Sequence, residues 1–270
     1  MSEAVLADNA RKRAANNPNI RFYLAVLGVL PWIGVLITAA IGRWGEADQE
    51  RVNDVHRYWL EEHNARLREL EETTAKIVSA ATASGELGQR RLNDENYLSL
   101  VRLGFRTWDR SETRDKRELV RKILSNAACD SLCTDDFVRR FIEWIDEYNE
   151  YHFKIVRRLY RFPGSTRRDI WQELYGVPVR EDSAEADLFR MLIRDLSTGG
   201  VIRQERETTS DGDFLRRRPA RTRRSGMTTK STFDDADPYV LTELGKDFVH
   251  YALNEVVPRL PEEVSPRSNG

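Results

Sequence analysis

Residues 22–41 read FYLAVLGVLPWIGVLITAAI, twenty in succession without a charge, about the length a helix needs to cross a hydrocarbon core. Such a run spans a membrane, lies in it without crossing as a re-entrant hairpin or interfacial helix, or forms a core helix of a soluble body. A cleaved signal peptide fits less well, because the run outlasts the usual apolar stretch and no small-x-small site follows it. Pro31, between Gly28 and Gly34, removes a backbone donor and predicts a kink at the centre, while Trp32 and Trp44 are placed to act as interfacial anchors. Flanking cations are nearly balanced, with Arg11, Lys12, Arg13 and Arg21 before the run and Arg43, Arg51 and Arg57 after it. They do not orient it. Membrane lipid is the expected contact, and deletion of residues 1–42 is expected to release a soluble, folded remainder.

Composition beyond the run is that of a folded protein: 40% hydrophobic and 32% charged, with 43 Lys+Arg against 44 Asp+Glu for a formal charge of −1. That balance excludes a supercharged binder, an acidic tail protein and a wholly disordered chain. Residues 46–83 predict one long amphipathic helix, in which Val52, Val55, Trp59, Leu60, Leu67, Leu70, Ile77 and Val78 form a stripe. Arg66 and Thr73 interrupt a strict heptad, so the helix either packs within the protein or pairs with a second copy as a homo-oligomer. His56 and His63 share a face of it, as solvated residues or as metal ligands. Two or three further helices are predicted between Asp94 and Tyr160, completing a small helical bundle. One has Leu119, Val120, Ile123, Leu124 and Ala127 on its buried face, and another, capped by Thr134 or Asp135, has Phe137, Val138, Phe141, Ile142, Trp144, Ile145 and Tyr148. Asp135, Asp136, Glu143, Asp146, Glu147 and Glu150 can be read as paired carboxylates for acid–base chemistry or as ordinary helix-start and surface residues. Cys129 and Cys133, with no further cysteine, form neither a zinc set nor a disulfide framework. No metal site and no cofactor are expected.

In the last third, helix and strand signals alternate in a definite order. A helix through residues 151–160 stops at Pro163-Gly164; Ser165 or Thr166 caps a short helix closed by Gly176; Ser183 caps a third, closed by Gly199-Gly200. The third helix is predicted to bury Leu188, Met191, Leu192 and Leu196. VIRQERE then alternates as a strand, a long polar loop follows, and Tyr239, Val240 and Leu241 return as a second strand before the final helix, in the sequence YVLTELGKDF. This order, with its closing Leu-Thr-x-x-Gly, resembles a winged-helix domain. The resemblance implies that the third helix is a recognition helix and the loop its wing, with DNA as partner or, alternatively, a protein.

The wing carries Arg216, Arg217, Arg218, Arg221, Arg223, Arg224 and Lys230, a concentration of positive charge suited to phosphates or to an anionic lipid surface. On the recognition helix Arg190 and Arg194 are the candidate base-reading residues, beside the acidic Glu185, Asp187 and Asp195. The chain lacks a phosphate loop ending in Lys-Ser/Thr, a His-Glu-x-x-His and a Gly-x-Ser-x-Gly, and no catalytic residue is assigned. An enzyme of unrecognised type is the remaining alternative. As a whole the chain resembles a loose group of uncharacterised bacterial proteins, through Pro31 to Gly34, the helix over residues 51–70 and the helix over residues 113–127. The expected architecture is mainly α: a tail (1–21), a transmembrane or membrane-associated segment (22–42), a helical region (43–148), a winged helix of α+β type (149–258) with a basic wing (208–237), and a disordered tail (259–270). The expectation is a bacterial inner-membrane, non-enzymatic interaction or regulatory protein with its large C-terminal region in the cytoplasm.

Overall fold

The computed structural model describes residues 19–30, 32, 49–129, 132–177, 179–205 and 238–253, the side chains of Ile20 and of residues 49–63 excepted. It is mainly α-helical, with ten helices and one two-stranded sheet among the described residues. The helices are α1 (Ile20–Leu27), α2 (Gln49–Ala83), α3 (Glu86–Arg91), α4 (Glu95–Arg110), α5 (Arg114–Cys129), α6 (Asp135–Glu147), α7 (Glu150–Arg161), α8 (Arg167–Tyr175), α9 (Ala184–Thr198) and α10 (Glu243–Leu253). The strands are β1 (Ile202–Gln204) and β2 (Tyr239–Leu241). Four helices, α4 to α7, occupy the stretch predicted to hold two or three. The chain divides into two compact units, Glu147–His250 and the remainder.

In the first unit α5 packs on α2 and α4, and α1 packs on α4. The predicted face of α5 is buried, Leu119, Val120, Ile123, Leu124 and Ala127 meeting a core that includes Tyr97, Val101, Phe105 and Trp108 of α4. At Gly104 an added Cβ would lie 2.9 Å from Leu124 Cδ1, so the absence of a side chain there lets α4 and α5 approach. Tyr97 Oη donates to the Leu124 carbonyl at 2.9 Å, and burial pushes its phenol pKa far up, keeping it a donor. On α6 the apolar face is narrower than predicted: Val138, Phe141, Ile142, Trp144 and Ile145 are buried, whereas Phe137 is exposed.

The described part of the uncharged run is short. α1 ends at Leu27, capped by Gly28, three residues before Pro31. Its Phe22, Ala25 and Val26, with Leu30 beyond, are buried in the first unit, while Tyr23, Leu24 and Leu27 are exposed. Trp32 Nε1 donates to Asp109 Oδ1 at 2.8 Å, and the same oxygen accepts from Arg66 Nη2 at 2.8 Å, fastening this segment to α4 and α2. Among the described residues no helix is long and apolar enough to cross a membrane.

Candidate nucleic-acid interface

The second unit is built from local signals. Asn149 caps α7, with His152 returning the bond to its backbone N–H. Thr166 and Asp169 form a reciprocal capping box on α8, and Gly176 closes that helix with a φ of 71°, in the left-handed region. Ser183 accepts from Ala186 N at the start of α9. Trp171 meets Phe189 edge to face at 5.3 Å, joining α8 to α9.

β1 and β2 pair antiparallel, Ile202 opposite Leu241, Arg203 opposite Val240 and Gln204 opposite Tyr239. A further bridge joins Ser165, in the turn between α7 and α8, to Tyr239 on the other side of β2. Gly164 N–H donates to the Tyr239 carbonyl at 3.0 Å, and Tyr239 N–H donates to the Ser165 carbonyl at 2.9 Å. The spatial order is thus Ser165, β2, β1. Glu205 N–H donates to the Pro238 carbonyl at 2.8 Å, so the stretch between them leaves and re-enters the sheet at one point. Arg216, Arg217, Arg218, Arg221, Arg223, Arg224 and Lys230 all fall in that stretch and lie outside the described residues.

Behind the sheet, the LTELG sequence has a specific structural use. Thr242 Oγ1 accepts from Gly245 N–H at 2.9 Å, capping α10, and donates to the Gly200 carbonyl at 2.6 Å. A Cβ on Gly245 would stand 2.2 Å from the Val201 carbonyl oxygen.

The buried face of α9 is Ala186, Phe189, Leu192, Ile193 and Leu196. This corrects the sequence expectation: Leu188 is half-buried and Met191 is 38% exposed. Contact with Trp171 selects Phe189, turning the helix about one residue from the predicted phase. The exposed face then presents Glu185, Asp187, Arg190, Met191 and Arg194. The two arginines differ. Arg190 pairs with Asp187 and donates to the Glu181 carbonyl at 3.1 Å, whereas the side chain of Arg194 is 73% exposed and its nearest carboxylate, on Asp195, is 3.9 Å away.

Further basic residues are exposed on the second unit. Lys154, Arg157 and Arg161 recur at i, i+3 and i+7 on the exposed side of α7, and Arg168 is exposed on α8. Their helical spacing is visible in the sequence.

Three of the six acidic residues considered for acid–base chemistry have arginine partners. Asp135 pairs with Arg91, Asp146 with Arg110 at 2.9 Å and Glu143 with Arg140 at 3.1 Å, so each of these carboxylates faces an arginine. Cys129 and Cys133 are not in a disulfide. Among the described residues no group of three or more His, Cys, Asp and Glu could hold a metal ion; the side chains of His56 and His63 lie outside those residues. Comparison with protein-family models, curated proteins and solved structures finds no match.

Proposed function

We propose that the second unit is a winged-helix module that binds duplex DNA, chiefly through phosphate contacts from its wing, within a membrane-associated regulatory protein. The observation that carries this is the sheet order Ser165, β2, β1 following helices α7, α8 and α9. It ties the turn before the helix pair, the strand after the wing and the strand leaving α9 into one ladder, which supports the winged-helix reading of the element order. Between Phe214 and Phe233 the wing has seven basic residues and no acid, so its field acts on phosphate without an internal counter-charge.

The recognition helix contributes less. Arg190 is already engaged by Asp187, which leaves Arg194 as the side chain best placed for a base edge. Binding is therefore weakly selective among sequences. Membrane association rests on the exposed Tyr23, Leu24 and Leu27, which lie in the uncharged run that continues to Ile41. The acidic exposed residues of α9, Glu185 and Asp187, favour a second reading in which the module binds a basic protein surface.

The test is fluorescence anisotropy of labelled duplex DNA with detergent-purified full-length protein. Changing Arg216, Arg217 and Arg218 together to Ala is expected to weaken binding alike on unrelated sequences, and Arg194→Ala to have more effect than Arg190→Ala. Undetectable binding at low salt would remove DNA and leave the protein-partner reading.

A further inference from the structure

The exposed side of α7 carries cations that no acid of their own segment offsets. Lys154, Arg157 and Arg161 have no carboxylate partner among the described residues; Lys154 holds its ammonium group 5.0 Å from the Tyr151 ring centroid. Arg158, outside this stripe, differs: Glu173 engages it at 2.6 Å, and its guanidinium lies 4.3 Å from the Phe162 ring centroid. Between Tyr151 and Ser165 the sequence has no acidic residue, so the field of the three cations is not cancelled locally. Positions i, i+3 and i+7 share one face of a helix and, at 1.5 Å per residue, extend over about 10 Å. Along one strand of a duplex that length holds about three phosphates, at 3.4 Å of axis each.

Position links the stripe to the wing. Arg161 ends α7, and three residues later Gly164 N–H donates to the carbonyl of Tyr239, at the start of β2. A Cβ on Gly164 would stand 3.4 Å from Glu205 Oε2, and Glu205 N–H in turn donates to Pro238 where the wing leaves and re-enters the sheet. Tyr160 and Pro163 also share the wall of one cavity with Arg203 and Glu205. The C-terminal end of the stripe therefore stands at the root of the wing. Glu205 is the acid nearest that end and Glu150 the one at the start of α7, which confines the unopposed charge between them.

We propose that α7 is a second phosphate-contacting element, with Lys154, Arg157 and Arg161 on the backbone of the same duplex, an inference that rests on DNA binding by the wing. The experiment is the anisotropy titration of labelled duplex by detergent-purified full-length protein over a series of salt concentrations, with the three residues changed together to Gln, which preserves helix propensity. The change is expected to weaken binding at least about tenfold at ~0.1 M salt, alike on unrelated sequences, and to reduce the salt slope by roughly 2.7. Changing Arg90, Arg102 and Arg110 of the first unit to Gln removes the same charge, and each of them is paired with an acid. That variant is expected to keep the parent's slope; an equal reduction there would show an effect of net charge and overturn the proposal. An unchanged slope in the α7 variant, with Arg216, Arg217 and Arg218 to Ala still reducing it, would overturn the α7 contact and leave the wing's role standing. Undetectable binding by the parent at low salt would overturn both. Loss of affinity for vesicles of about 30% phosphatidylglycerol in phosphatidylcholine, with the DNA slope kept, would assign the stripe to lipid and overturn the proposal as well.

Discussion

Gly245→Ala is expected to destabilise the second unit, although alanine in place of glycine within a helix ordinarily stabilises by ~0.8–1.0 kcal/mol. The reversal follows from the packing of α10 on the chain after α9. The added Cβ would stand 2.2 Å from the Val201 carbonyl oxygen and 3.1 Å from its carbon, so a shift of about 1 Å is needed to reach ordinary contact. Both groups are backbone and cannot swing away. Overpacking of this kind costs ~1–3 kcal/mol. The same shift strains the Thr242 cap, whose Oγ1 holds Gly245 N–H at 2.9 Å and the Gly200 carbonyl at 2.6 Å, a contribution of ~1 kcal/mol. Set against the helix preference, the net loss is about 2 kcal/mol, or roughly 4–8 °C in Tm. Thermal unfolding followed by circular dichroism measures it, with Thr242→Val as a companion that removes the cap without adding bulk at position 245. An alanine variant as stable as the parent, or more stable, would refute the packing argument.

Two further outcomes are expected. Asp169 receives hydrogen bonds from Thr166 N–H and Oγ1–H, both at 2.8 Å, and they hold its carboxyl below the usual range by stabilising the ionised form. Its contribution is present above the unfolded pKa and lost as pH falls through the lowered folded value, so the stability gap between the parent and Asp169→Asn should narrow as pH falls below the ordinary aspartate value of about 4. Truncation after residue 42 removes Phe22, Ala25, Val26 and Leu30 from the first unit's core, with burial of the three large side chains worth about 5 kcal/mol or more. The truncated protein should therefore unfold at lower denaturant than one truncated after residue 18, in contrast to the detachable anchor that the sequence suggests; equal midpoints in urea would refute this.

The second unit was legible wherever a local rule decides the structure. Thr166 and Ser183 announce helix starts because their oxygens satisfy backbone donors within three residues. Tyr239, Val240 and Leu241 read as a strand from residue type and flanking turns alone. The phase of α9 was not legible, since Leu188, Phe189, Met191, Leu192 and Ile193 are all apolar and only the partner Trp171 selects among them. The bridge from Ser165 to Tyr239 joins residues far apart in sequence and leaves no local trace. Docking of residues 22–30 was hidden for a related reason: a charge-free run looks the same whether lipid or protein covers it.

Salt dependence of duplex DNA binding by the full-length protein tests the central claim most directly. With all seven wing cations on phosphates, the logarithm of the association constant should fall against the logarithm of salt concentration with a slope near −6 from the wing alone, at about −0.9 per contact. Changing Arg216, Arg217 and Arg218 to Ala should reduce that slope by roughly 2.7. A slope near zero, or one that the triple substitution leaves unchanged, would contradict phosphate binding by the wing.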